Sequence, residues 1–223
     1  MHCPSAEHEG FTALASAVNA AVQSFPQNVV CRHLDQGTLT RAHYRFILTT
    51  IFHQAHSSPY TFARAAVNCS WKHATAKEYL IQHAEEKRSH WRWILDDLRE
   101  LSYSGADPRK LPPHATAQAY IGLNYYIAEE VPVARLAIAL VLESIGAVIA
   151  AEYGRKLLAV LKLEPSQASF FLNHAETDKK HSRELRAVIE SCHLDDEDWL
   201  WMVHAAKTAG QLYRAMYDHE DYR

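Results

Sequence analysis

The sequence predicts an all-α protein, a compact bundle of seven to eight helices forming a single domain over residues 1–223. Two observations carry that expectation. Only seven glycines and eight prolines punctuate the chain, and the stretches between them are rich in Ala, Leu, Glu, Lys and Arg, which lose little freedom on entering a helix. Within those stretches apolar residues recur at intervals of three and four, the period of a helix with one buried stripe.

A first helix is expected over Glu9–Ser24, where Phe11, Leu14, Ala15, Val18 and Val22 share a face before Phe25-Pro26 ends the run. A second should start at Thr38 or Thr40 as N-cap and carry Tyr44, Ile47, Leu48, Ile51 and Phe52 to Ser57. Ser58-Pro59 then reads as N-cap and first helical residue of a short third helix reaching Asn68. The fourth, from His73 to Leu101, is long, and its face Tyr79, Leu80, His83, Glu86 or Lys87, His90 and Ile94 mixes ionisable groups with aliphatics. A purely structural helix would not put them on its buried stripe. Gly105 to Pro113, with three prolines, is a connector, and a fifth helix follows from Ala115 to Glu130. Pro132 opens a sixth that includes the apolar run Ala137–Ala151, and Pro165 opens a seventh to Cys192. Asp195 to Asp198 form the acidic first turn of a last helix to Asp218.

Charge and cysteine usage exclude several function classes. With 23 Lys plus Arg against 26 Asp plus Glu, a net charge of −3 offers no basic surplus for nucleic acid or anionic lipid. No stretch approaches the ~18 consecutive apolar residues of a membrane span, and no basic head precedes an apolar run near the start. The expectation is a soluble cytoplasmic protein without nucleic-acid or membrane partners. Cys3, Cys31, Cys69 and Cys192 are scattered and read as reduced thiols. The unusual feature is 15 histidines dispersed along the chain.

The sharpest signal lies on the predicted seventh helix, where His174, Asp178 and His181, in the string HAETDKKH, fall on one stripe at spacings of four and three. Hard carboxylate oxygens with neutral imidazoles suit Fe(II), Mn(II) or Zn(II). The bland alternative is an exposed polar face. The fourth helix repeats the theme with His83, Glu86 and His90 in HAEEKRSH, while Glu85 falls off the stripe and faces solvent. Glu143, alone in the most apolar helix, is a buried acid that needs a cation: a metal between the two histidine stripes, or a basic residue such as Arg135 or Arg155. Each His pair stands seven residues apart, ~10.5 Å along a helix axis. Two ions about 3.5–4 Å apart would be reached more comfortably than one.

This pattern resembles the metal pattern of the heme-oxygenase-like di-iron oxidases and oxygenases, a group that includes the CADD-like proteins and related iron-containing redox enzymes with a TenA/PqqC-type fold. It maps onto His83, His90, Glu143, His174, Asp178 and His181 at intervals of 7, 53, 31, 4 and 3. One departure is that the first position is usually Glu in the family and is His83 here, with Glu86 one turn later as a substitute carboxylate. Either His83 or Glu86 is the ligand from that helix. The resemblance implies an all-helical fold and an O2-activating non-haem iron oxidoreductase. It implies two Fe(II), with Mn or mixed Fe/Mn as variants, O2 as co-substrate and Glu143 and Asp178 as the catalytic carboxylates. The partners it implies are a small organic, fatty-acid or amino-acid-type substrate, an external electron donor and a second copy of the chain. The alternative in the same fold class is a TenA-like metal-free hydrolase or binding domain, with Cys69 as nucleophile.

Other residues invite two readings each. His43, His53 and His56 suggest haem ligation or core and supporting roles, with no close-packed glycine motif to favour haem. Tyr120, Asn124, Tyr125 and Tyr126 line a pocket or pack. Trp71, Trp91 and Trp93 finish the core, and Trp199, Trp201 and Met202 pack or serve a homodimer contact.

Overall fold

The computed structural model describes residues 6–218 and is all-helical, with no strand among the described residues. Cys3 lies outside them. Helix α1 (Ala6–Ser24) packs parallel to the closing helix α10 (Asp196–Ala215): Trp199 is set edge-on to Phe11 near the start of both, and Gly210 meets Ala21 near their ends. Gly10 leaves the room that the Trp199 ring occupies. Trp199 is therefore an internal packing residue, and Asp195 caps its helix by accepting from Asp198 N at 2.9 Å. A short helix α2 (Val29–Asp35), absent from the sequence expectation, is capped by Asn28, whose Oδ1 accepts from Cys31 N.

The expected second and third helices are one. Helix α3 (Arg41–Asn68) starts at Thr40 in a capping box with His43 and runs straight through Pro59. Proline in a helix interior removes one backbone hydrogen bond. Burial of Tyr44, Ile47, Leu48, Phe52, Phe62 and Ala65 along one rod outweighs that loss. The expected fourth helix is conversely two: α4 (Ala74–Lys87) and α5 (Trp91–Glu100), divided by a turn over 88–90. Arg88 N and His90 N bond to carbonyls three residues back, at 3.3 Å each, so the chain tightens without glycine or proline. His83 and His90 are thus not on one straight axis.

Helix α6 (Ala115–Glu130) matches its expected bounds. Tyr120 and Asn124 are buried while Tyr125 and Tyr126 face outward, so this helix packs through the first pair. Helix α7 (Arg135–Ile145) continues through a π-helical turn at Gly146–Ala150 into α8 (Ala151–Leu161). The continuous stretch Pro132–Leu161 is long and apolar enough by composition to cross a membrane, which corrects the expectation that no such stretch exists. Most of it is buried against α9, α10 and α1, as befits the central rod of a bundle. Pro165–Gln167 is only a 3₁₀ turn, and α9 (Ser169–Ser191) starts later than expected. Its first amides, Ser169 N and Phe170 N, donate to the buried Asp97 of α5 at 2.8 and 3.0 Å, which fixes where α9 begins. Trp71 is 92% exposed and does not finish the core, unlike the half-buried Trp91 and Trp93.

Candidate metal centre

Helices α4, α7 and α9 meet at the centre of the bundle. Each carries an ionisable stripe because its inward face repeats every three or four residues. From α4 come His83, Glu86 and Lys87, with His90 from the turn that follows; α7 brings Glu143; α9 brings His174, Asp178 and His181.

Two clusters form. In the first, ligand atoms of His83, Glu143 and His181, all buried, lie within 4.8 Å of one another. His83 Nε2 is 3.2 Å from Glu143 Oε1, and His181 Nδ1 is 3.4 Å from Glu143 Oε2. Tyr79 Oη sits 3.2 Å from His83 Nδ1 and sets the ring's orientation. In the second cluster His90 Nδ1 and His174 Nε2 are 3.2 Å apart. His174 Nδ1 donates to Phe170 O at 2.7 Å, so its Nε2 carries the lone pair. Asp178 is buried beside Glu143 and against Gly146, where a Cβ would overlap its carboxylate. Between the two candidates from α4, His83 lies inside the first cluster, whereas Glu86 is half-exposed at its rim, its Oε1 2.7 Å from His181 Nε2.

The electrostatics follow from this burial. Desolvation holds the imidazoles of His83, His90 and His174 neutral, with His90 pushed down to about 3 and His174 to about 4. Burial also opposes charge on His181, but Glu143 and Glu86 more than offset it and raise that ring. Glu143 is held well below the usual carboxylate range: burial works against its charge, and Lys87, His181 and His83 prevail. Asp178, desolvated and facing the Glu143 charge, is pushed up to about 10. One proton therefore resides on the carboxylate pair at neutral pH.

Lys87 is a residue whose importance sequence reasoning did not separate from Glu86. It is buried, and its Nζ lies 2.9 Å from Glu143 Oε1, so it answers the choice posed for Glu143 with a third partner in place of Arg135 or Arg155. Even so, Glu143 Oε2, Asp178 Oδ1 and His181 Nδ1 are buried without a hydrogen-bond partner. Buried imidazole and carboxylate atoms that make no hydrogen bond, two of them facing each other at 3.4 Å across His181 and Glu143, fit an iron-type cation.

The remaining candidates fall elsewhere. His43 caps α3, and His53 and His56 pack around Phe52. Glu85 is exposed. The buried Cys69 thiol is pushed up to about 11 by desolvation, which disfavours the thiolate a nucleophile needs.

The structural comparisons give this all-helical bundle a heme oxygenase-like fold. The chain is similar to a domain of unknown function with a heme oxygenase-like fold from Shewanella denitrificans, with TM-score 0.81 and 21% identity over 93% of this chain and 90% of that one. It is also similar to a TenA homologue from P. horikoshii, with TM-score 0.71 and 16% identity over 92% and 94% of the two chains. A CADD-like protein of unknown function from Nostoc punctiforme gives TM-score 0.66 and 11% identity over 93% and 92%. The chain belongs to the iron-containing redox enzyme family, whose model matches residues 45–216. No curated protein sequence matches it.

Proposed function

We propose that the protein is an O2-dependent non-haem iron oxidoreductase whose iron, two ions when fully loaded, is held by His83, His90, Glu143, His174, Asp178 and His181. The observation that carries this reading is the set of buried atoms on Glu143, Asp178 and His181 that make no hydrogen bond inside a histidine-lined centre. Iron bound there supplies what side chains lack, a site for O2 and electrons to reduce it.

The chain's own groups do the rest. His83, Glu143 and His181 make the first set of donors, and His90, His174 and Asp178 the second, with Glu143 facing both. Tyr79 and the Phe170 carbonyl hold the far nitrogens of His83 and His174, keeping the inward nitrogens available. Lys87 neutralises Glu143 when no cation is present, so a second ion must compete with an internal ammonium. His83 in place of a carboxylate lowers the negative charge further and favours Fe(II) over Fe(III). A cavity of about 1200 Å³, open solvent at its mouth included, reaches His90, Glu143, His174 and Asp178 and would hold the substrate beside them. A metal-free hydrolase built on Cys69 is disfavoured by its protonated thiol.

The test is anaerobic loading with Fe(II) followed by admission of O2. A change in the visible spectrum with O2 uptake, lost in His174→Ala and His181→Ala, is expected. A protein that binds no iron, or whose bound iron is inert to O2, would overturn the proposal.

A further inference from the structure

The four histidines of the centre differ in what stands behind them. An imidazole offers a metal one ring nitrogen, and the group bonded to the other nitrogen fixes the tautomer and strengthens the donor. Tyr79 Oη lies behind His83 at 3.2 Å and the Phe170 carbonyl behind His174 at 2.7 Å, and both are neutral groups. His90 is stacked on Trp93, with ring centroids 4.3 Å apart. Among the described residues, only His181 of the four has a carboxylate there, with Glu86 Oε1 2.7 Å from its Nε2. Glu86 stands three residues after His83 on α4, so one turn of that helix presents both to the His181 ring. The His83 ring meets it edge-on, centroids 5.1 Å apart.

Nδ1 of the same ring faces the other way. It is buried, makes no hydrogen bond, and sits 3.4 Å from Glu143 Oε2. Glu86 and Glu143 therefore stand on opposite sides of His181, and the set of ligand atoms within 4.8 Å of one another, from His83, Glu143 and His181, does not include Glu86. We infer that Glu86 is a positioning residue: it accepts the Nε2 proton of His181, turns Nδ1 to the cation, and makes His83, Glu143 and His181 the set that fills first. A charged acceptor strengthens an imidazole donor more than a phenol or a carbonyl does. Its half-exposed place at the rim lets Glu86 keep that charge at little desolvation cost. This inference rests on the proposed metal centre and gives its two donor sets an order of loading.

The test is a Co(II) titration of the full chain without O2, read by the visible spectrum and by competition with a chelator, for wild type, Glu86→Ala and Glu86→Gln. Glu86→Ala should weaken the first binding step by about tenfold or more and leave the second within about twofold. Glu86→Gln keeps an oxygen acceptor for Nε2–H and should stay within about threefold of wild type. The spectrum of the first step should keep its shape in all three, because the ligands are the same. In Zn(II)-loaded wild type, 15N NMR of labelled histidine should show His181 protonated at Nε2 and metal-bound at Nδ1. Co(II) binding by Glu86→Ala that matches wild type overturns the assignment. So does a Glu86→Gln protein that loses as much as Glu86→Ala with a changed spectrum, which makes Glu86 a ligand, or Zn(II) bound at Nε2. Wild-type protein that binds no Co(II) overturns both this inference and the metal centre. None of these readouts involves O2, so a bound iron inert to O2 would overturn the proposed reaction and leave this assignment standing.

Discussion

Asp178 faces Glu143 on one side and Gly146 on another, with no water-exposed face for its charge. Its pKa is raised by folding from the ordinary carboxylate range to about 10, so the neutral form is favoured in the folded chain. Metal-free protein should therefore lose stability from this group as pH rises above about 4 and toward 10. Asp178→Asn removes the penalty while keeping the shape. The chelated variant should melt several degrees above the chelated parent at pH 8, with the gap shrinking toward pH 5. An unchanged or inverted gap would show that Asp178 is not held protonated. The same substitution should cost iron binding, since a ligand oxygen becomes an amide.

At the element scale the π-helical turn after Glu143 is what lets α7 and α9 approach at the site. Gly146, its first residue, leaves the space that the Asp178 carboxylate fills. Gly146→Ala should displace Asp178, cost roughly 1–3 kcal/mol by overpacking, and lower iron content per chain. Gly122, on the outer face of α6, meets nothing within 4 Å, so Gly122→Ala should instead stabilise by about 0.5–1 kcal/mol with iron content unchanged. Melting curves and iron analysis of the two variants check both outcomes. Much of this scale was legible in the sequence, because His83, Glu143, His174, Asp178 and His181 betray themselves by ionisable groups at helical spacing on apolar faces. The turn at 88–90 was not, since it arises from tightened backbone bonds with no residue to announce it. Pro59 misled for the opposite reason, as long-range packing outweighed its local preference.

For the whole molecule, one contiguous apolar core surrounds the rod of α7 and α8, and the polar centre and the cavity are enclosed within it. Helix order followed from periodicity and punctuation, whereas the number did not: α2 was missed, two expected helices fuse into α3, and one divides into α4 and α5. The meaning of Lys87 and Gly146 did not follow either, because each depends on a neighbour distant in sequence: Glu143 and Asp178 respectively. A lysine on a mixed helix face reads as solvated until the opposing helix is placed.

The most direct test is anomalous diffraction at the iron edge from crystals grown anaerobically with Fe(II). The account predicts an iron peak among His83, Glu143 and His181, and a second, weaker one among His90, His174, Asp178 and Glu143, with the Lys87 amine moved away from Glu143. Iron bound only outside this centre, or a centre still closed by the Lys87–Glu143 pair at saturating Fe(II), would contradict it.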